Sequence, residues 1–111
     1  MRAALEMFGV VFHREDQRCC LLEEGDKEAD LDLTSTEFHL FLMLVKSEGQ
    51  TISRKALGMV AWENRDGAIE SQGLDTLIAH LRKKIGNLRG SIISVYGQGY
   101  SFHLNKVKRI G

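Results

Sequence analysis

The stretch Gly73 to Asn87, GLDTLIAHLRKKIGN, restricts the fold more than any other part of this chain. Its apolar residues Leu74, Ile78, Leu81 and Ile85 recur at i, i+4, i+7 and i+11, the spacing of one stripe along an α-helix. At about 100° per residue the opposite side carries Gln72, Thr76, Ala79, His80 and Lys83. One face therefore needs a core to lie on, and the other offers polar and basic groups. By itself this describes any amphipathic surface helix, so the neighbouring sequence has to say what the polar face is for.

A core is within reach. The chain has 111 residues, 43% of them hydrophobic and 27% charged, which suits one globular domain over residues 1–111. No apolar run approaches the roughly 18 to 20 residues of a membrane span, the longest being Leu40 to Val45. Met1 to Ala4 is not followed by the apolar segment of a secretory leader, so a cytoplasmic protein is expected. Cys19 and Cys20 are adjacent, and neighbours on a strand point to opposite faces, so a disulfide between them would be strained. Without spaced partners they form no metal set, and two reduced cysteines are expected.

The formal net charge of zero hides a division. Residues 1–70 hold 8 Lys and Arg against 14 Asp and Glu, while residues 71–111 hold 7 Lys and Arg against Asp75 alone. A basic end of this kind is the footprint of a polyanion site, or else a solvated surface without a partner.

The first third reads as short strands. Leu5 to Phe12 is apolar and broken at Gly9. Arg18 to Leu22 and Glu28 to Leu33 flank a Gly25–Asp26 turn. Ala29, Leu31 and Leu33 alternate with Asp30 and Asp32, the period of a half-buried strand, so the sheet should be acidic on its wet face. Thr34-Ser35-Thr36-Glu37 is a capping box that opens a helix over about 35–47, apolar on more than one side and hence central. Ser53 caps a second helix over about 54–61, and Trp62 to Glu70 follows as an irregular loop. Ser71 is placed to cap the third helix, 72–85, with Asp75 in its first turn and Gly86–Asn87 at its end. Ile92 to Tyr96 and Tyr100 to Leu104 then flank Gly97-Gln98-Gly99, a hairpin over 92–104. The class is α+β, a winged helix-turn-helix: antiparallel sheet, three helices, β-hairpin wing. A third helix of about 14 residues, about 21 Å long, can enter a major groove roughly 12 Å wide with the wing beside it.

Several stretches in this order resemble the OmpR/PhoB-type winged-helix effector domains of bacterial response regulators. They are Leu33-Thr34 with Glu37-Phe38 and Leu40; Ser53-Arg54 with Leu57, Val60 and Trp62; and Leu74-Asp75 with Ile78 and Leu81-Arg82-Lys83-Lys84-Ile85. The series ends in Ile93-Ser94-Val95-Tyr96-Gly97-Gln98-Gly99-Tyr100. The resemblance runs from about residue 5 to 104 and implies promoter binding by two subunits on tandem repeats, within a two-component system. It also implies that the loop after the second helix, here with Glu63, Asn64, Arg65 and Asp66, contacts RNA polymerase. The chain departs from the family where His80 and Tyr96 stand at positions that often carry Arg, and where Gln72, Leu77 and Ala79 stand at phosphate-meeting positions.

The expected DNA-binding residues are Arg54, Trp62, Gln72, Thr76, Ala79, His80, Arg82, Lys83, Ser94, Tyr96 and Tyr100. His80 has the chemistry to donate to a base acceptor, and Thr76 and Ala79 to pack on a thymine methyl. Arg82, Lys83 and Arg54 suit phosphates, the last helped by the helix N-terminus, while Lys84 lies on the flank. The Trp62 indole, Ser94 and Tyr100 carry donors for the DNA backbone, although Trp62 and Tyr100 serve as well for covering the core. Tyr96 suits the minor groove. Leu74, Ile78, Leu81 and Ile85 are assigned to packing. No catalytic set, cofactor motif or phosphate loop is evident, His13, His39, His80 and His103 being scattered. The alternative is a protein-interaction module that meets RNA polymerase or another regulator through 62–70.

Overall fold

The computed structural model describes residues 4–64, 73–86 and 90–105. Four short strands form an antiparallel sheet in chain order: β1 (Ala4–Met7), β2 (Val10–His13), β3 (Arg18–Leu22) and β4 (Glu28–Asp30). Phe8 and Gly9 have φ of 57° and 80°, the two positive values of a two-residue hairpin turn, and Met7 pairs with Val10 across it. This is the break expected at Gly9. The strand expected over Glu28 to Leu33 ends early. Asp32 turns to φ 60°, and its N–H donates to Asp30 Oδ1 at 2.8 Å, a local side-chain turn that competes with the ladder.

Strand alternation sorts this sheet into two faces. Phe12 and Cys19 are cross-strand partners at 0% exposure in the core. Cys20 pairs with Val11 on one side and Asp30 on the other, on the opposite face. The two cysteines are unbonded and point apart, as neighbours on a strand must.

Helix α1 (Ser35–Lys46) starts on the expected capping box: Thr34 Oγ1 accepts from Glu37 N at 3.2 Å and Glu37 Oε1 accepts from Thr34 N at 2.9 Å. Phe38, Leu40, Phe41, Leu44 and Val45 are all buried, so α1 is the central helix. A chain of rings fixes it to both ends of the molecule. Phe12 of the sheet lies 5.7 Å from both Phe38 and Phe41, and Phe41 lies 5.7 Å from Phe102 of the last strand.

A short strand, β5 (Thr51–Ser53), then joins a second sheet of order β5-β7-β6. Its reason to exist is β7, roughly fifty residues later, so no local pattern announces it. Helix α2 (Arg54–Glu63) is capped by Ser53, whose Oγ accepts from Ala56 N at 3.1 Å. It runs two residues past the expected end and takes Trp62 and Glu63 out of the loop. Helix α3 (Leu74–Ile85) begins after Gly73, whose carbonyl accepts from Leu77 N at 3.1 Å. Gly73 is thus the cap in place of Ser71, which lies outside the described residues. Gly86 ends α3 at φ 51°.

The wing is β6 (Gly90–Val95) with β7 (Gly99–Leu104), two residues longer at its start than expected. Gln98 N donates to Val95 O at 2.9 Å, and Gly97 takes φ 73° at the turn position that demands it. No helix among the described residues is long and apolar enough to cross a membrane.

Candidate nucleic-acid interface

Helix α3 rests on the core through Leu77, Ile78, Leu81 and Ile85, at most 5% exposed, with Leu74 half-buried. Leu77 widens the buried stripe beyond the expected four positions and is therefore not available to phosphate. Thr76, Ala79, His80 and Lys83 are exposed and follow i, i+3, i+4, i+7, one row along the outward side. The row expected from periodicity is thus brought together, apart from Gln72, which lies outside the described residues with Arg65 and Asp66.

Arg82 is half-buried and spans from helix to wing. Its Nε donates to Ile92 O at 3.0 Å, its Nη2 donates to Ser94 Oγ at 2.9 Å, and its guanidinium carbon sits 5.5 Å from the centre of the Tyr100 ring. Arg82 and Ser94, assigned separately to the DNA backbone, are partners of one another. They fix the angle between α3 and the hairpin. Tyr96 is 100% exposed at the wing tip, and Ile93 is exposed below it.

Arg54 at the start of α2 makes a forked contact with Asp75 in the first turn of α3: Nη1 to Oδ1 at 2.7 Å and Nη2 to Oδ2 at 3.1 Å. Tyr100, 5% exposed, donates its hydroxyl to the same Oδ1. Hydrogen bonds from Arg54 and then Tyr100 hold the Asp75 carboxyl at about 2. Burial, first, and the Asp75 carboxylate push the Tyr100 phenol up. Arg54 and Tyr100, expected on phosphate, thus share an acceptor inside the protein. No sequence signal marked Asp75 as their common acceptor, because the three residues lie 21 and 25 positions apart.

Lys84 is also spoken for. Its Nζ donates to Glu37 Oε1 at 2.7 Å and to Asp32 O at 3.0 Å. Trp62 is 61% exposed on α2, and Met59 is 56% exposed on the same helix. Glu63 is exposed, whereas Asn64 is half-buried at the C-cap of α2. Asn64 donates through Nδ2 to Val60 O at 2.9 Å and accepts from Thr36 Oγ1 at 2.8 Å. Asn64, expected in the polymerase-contact loop, thus joins the end of α2 to α1.

One histidine, His13, meets in space two residues that are distant from it in sequence. The register of β2, β3 and β4 sets His13, Cys20 and Glu28 on one face, with donor atoms within 4.8 Å of one another. Strand pairing thus places Cys20 beside a histidine and a glutamate that spacing along the chain does not.

An antiparallel sheet, three helices and a hairpin joined to the third helix define a winged helix. The family model described as "Transcriptional regulatory protein, C terminal" matches residues 27–102, and the chain belongs to this family of transcription regulators. It is 36% identical over 84 residues to the alkaline phosphatase synthesis transcriptional regulatory protein PhoP of Bacillus subtilis, covering 73% of this chain and 35% of PhoP. It is 35% identical over 75 residues to the atypical response regulator protein ChxR of Chlamydia trachomatis, covering 68% of this chain and 33% of ChxR. The matches thus span about a third of the length of these relatives. The fold is similar to the DNA binding domain of CpxR from E. coli, with a TM-score of 0.70 and 25% identity over 93% of this chain and 98% of that one. It is also similar to the DNA-binding domain of RstA from Klebsiella pneumoniae, with a TM-score of 0.67 and 20% identity over 91% and 97% of the two chains.

Proposed function

We infer that this chain binds double-stranded DNA sequence-specifically in transcription regulation, with α3 in the major groove and the hairpin β6–β7 at the adjacent minor groove. The observation that carries this reading is the exposed row Thr76, Ala79, His80 and Lys83 on a helix tied to its wing by Arg82. A helix of 12 residues is about 18 Å long, enough to lie across a groove about 12 Å wide. Lys83 and Gln72 meet phosphate, His80 donates to a base edge, and Thr76 and Ala79 pack on thymine methyls. Tyr96 enters the minor groove. Trp62 offers its indole N–H to phosphate from α2. Ser94 and Arg82 reach the backbone with the donor capacity they do not use on each other. Arg54 and Tyr100 adjoin this face and join it when Arg54 exchanges Asp75 for phosphate.

The wider setting is a bacterial response regulator of a two-component system, cytoplasmic, in which residues 1–111 form one DNA-binding unit. Two copies occupy tandem repeats in a promoter. The exposed Met59 and Trp62, followed by Glu63, favour an additional protein contact there, with RNA polymerase as the partner. A pull-down of polymerase that is unchanged by Glu63→Lys would remove that contact from the reading.

Selection from random duplexes tests the DNA assignment. Enrichment of a tandem motif is expected. His80→Ala should relax preference at one or two positions by about 1 kcal/mol, the scale of a single hydrogen bond. Lys83→Ala should weaken all sequences alike. An unchanged preference profile in His80→Ala would end the base-reading role of that residue.

A further inference from the structure

On the face of the first sheet turned away from the core, three side chains of differing chemistry converge. His13 is the last residue of β2, Cys20 is central in β3, and Glu28 opens β4. Cys20 lies between Val11 and Asp30 in the ladder, so His13 and Glu28 sit diagonally on either side of it. Diagonal neighbours on one face are within reach of long side chains. His13 Nε2 is 2.5 Å from Glu28 Oε1, and one donor atom from each of the three residues lies within 4.8 Å of the other two. They line a depression of about 430 Å³ that also takes in Asp30, Arg18 and Asp16. Arg18, on the rim of the same depression, pairs with Asp16, Nε to Oδ2 at 3.2 Å.

We propose that His13, Cys20 and Glu28 form a binding site for a borderline-soft divalent transition-metal ion, Zn²⁺ being the one their chemistry suits. An imidazole nitrogen, a thiolate and a carboxylate are the three donor types this ion selects, and hard cations such as Mg²⁺ disfavour the sulfur. Metal–ligand bonds of about 2.0 to 2.3 Å place tetrahedral donors about 3.5 Å apart. The three donors close to that spacing by side-chain rotation, with the His13–Glu28 contact opening as both turn to the ion. The Cys20 proton passes to solvent on ligation. Asp30, directly across from Cys20, or a water completes the set. Cys19 takes no part, since it faces the core. The site is separate from the DNA-binding reading: it stands on strands β2 to β4, while that reading rests on α3 and the wing.

The test uses the 111-residue chain, reduced and stripped with a chelator, then titrated with Co²⁺ as a coloured substitute for Zn²⁺. One equivalent should give tetrahedral d–d bands and a thiolate-to-cobalt charge-transfer band. Cys20→Ser should abolish the charge-transfer band, and Cys19→Ala should keep it. Zn²⁺ competition against a chromophoric chelator should show about tenfold or greater weakening in His13→Ala and in Glu28→Gln. His13 is half-buried and Glu28 exposed, and neither belongs to the core cluster, so these variants decide the matter even if Cys20→Ser fails to fold. Zn²⁺ should also raise the melting temperature of the parent chain more than that of His13→Ala. Absence of the charge-transfer band in the parent chain, its loss in Cys19→Ala alone, or a Zn²⁺ affinity in His13→Ala and Glu28→Gln unchanged from the parent would overturn the proposal.

Discussion

Asp75 shows how one carboxylate can set the geometry of a recognition element. It sits in the first turn of α3, where the helix dipole favours an acid. It also receives Arg54 from α2 and Tyr100 from β7. Three elements are thus pinned at one pair of oxygens. Its carboxyl is held at about 2, against an ordinary value of 3.8, by Arg54 first and Tyr100 second. The unfolded chain binds this proton more readily than the folded one. The stabilisation is therefore complete above about pH 4 and is lost as pH falls toward 2. Asp75→Asn should flatten that acid limb in thermal melts taken from pH 5 to pH 2, and an unaltered limb would remove Asp75 from the account. Both partners are half-exposed, with side chains 51% and 66% accessible, so the effect should be modest and fall with salt. Sequence reading identified Arg54 and Tyr100 as residues of this face but not their linkage. Each has the chemistry for phosphate, and only the folded chain shows that an acid from a third element stands between them.

At the scale of elements, the joint between α1 and α3 is a buried carboxylate shared by two tasks. Glu37, 4% exposed, completes the capping box of α1 and also accepts from Lys84 in the last turn of α3. Removing Lys84 leaves a buried charge with one backbone N–H as its remaining described donor. Lys84→Gln should cost about 1 to 3 kcal/mol in urea unfolding, with little change in DNA affinity for the folded fraction. Lys83→Ala, one position along, should do the reverse: near-parent stability, weaker DNA. If the two variants behaved alike, the division between docking and scaffolding lysines would be wrong. The capping box was legible because its groups lie three residues apart and carry a fixed pattern. Strand β5 was not, because three residues cannot state a preference against a partner as distant as β7. Leu77 was missed for a related reason. The count followed a narrow stripe, whereas α3 is embraced by α1 and α2 over a wider arc than one neighbour would cover.

Over the whole molecule, the zero net charge is a poor guide and the separation of charge a good one. Acids crowd the first sheet and its turns, and residues 71–111 carry 7 cationic side chains against Asp75. The structure changes what that number means. Arg82 is spent on the wing, and Lys84 on Glu37, so neither is a simple phosphate anchor. Lys83 is exposed on the outward row, and Arg54 is released only by exchanging Asp75 for phosphate. If about four to six phosphates are neutralised, the logarithm of affinity should fall against that of salt concentration with a slope of about −4 to −5. Lys83→Ala should make that slope shallower by about 1, while Lys84→Gln should leave it unchanged. Asp75→Asn should strengthen binding across all sequences, since it frees Arg54 and removes an acid from the same face. Electrophoretic or fluorescence titrations at several salt concentrations measure all three variants in one series. A flat response in the parent chain would exclude DNA as the ligand of this face. An unchanged slope in Lys83→Ala would move the phosphate contacts away from α3.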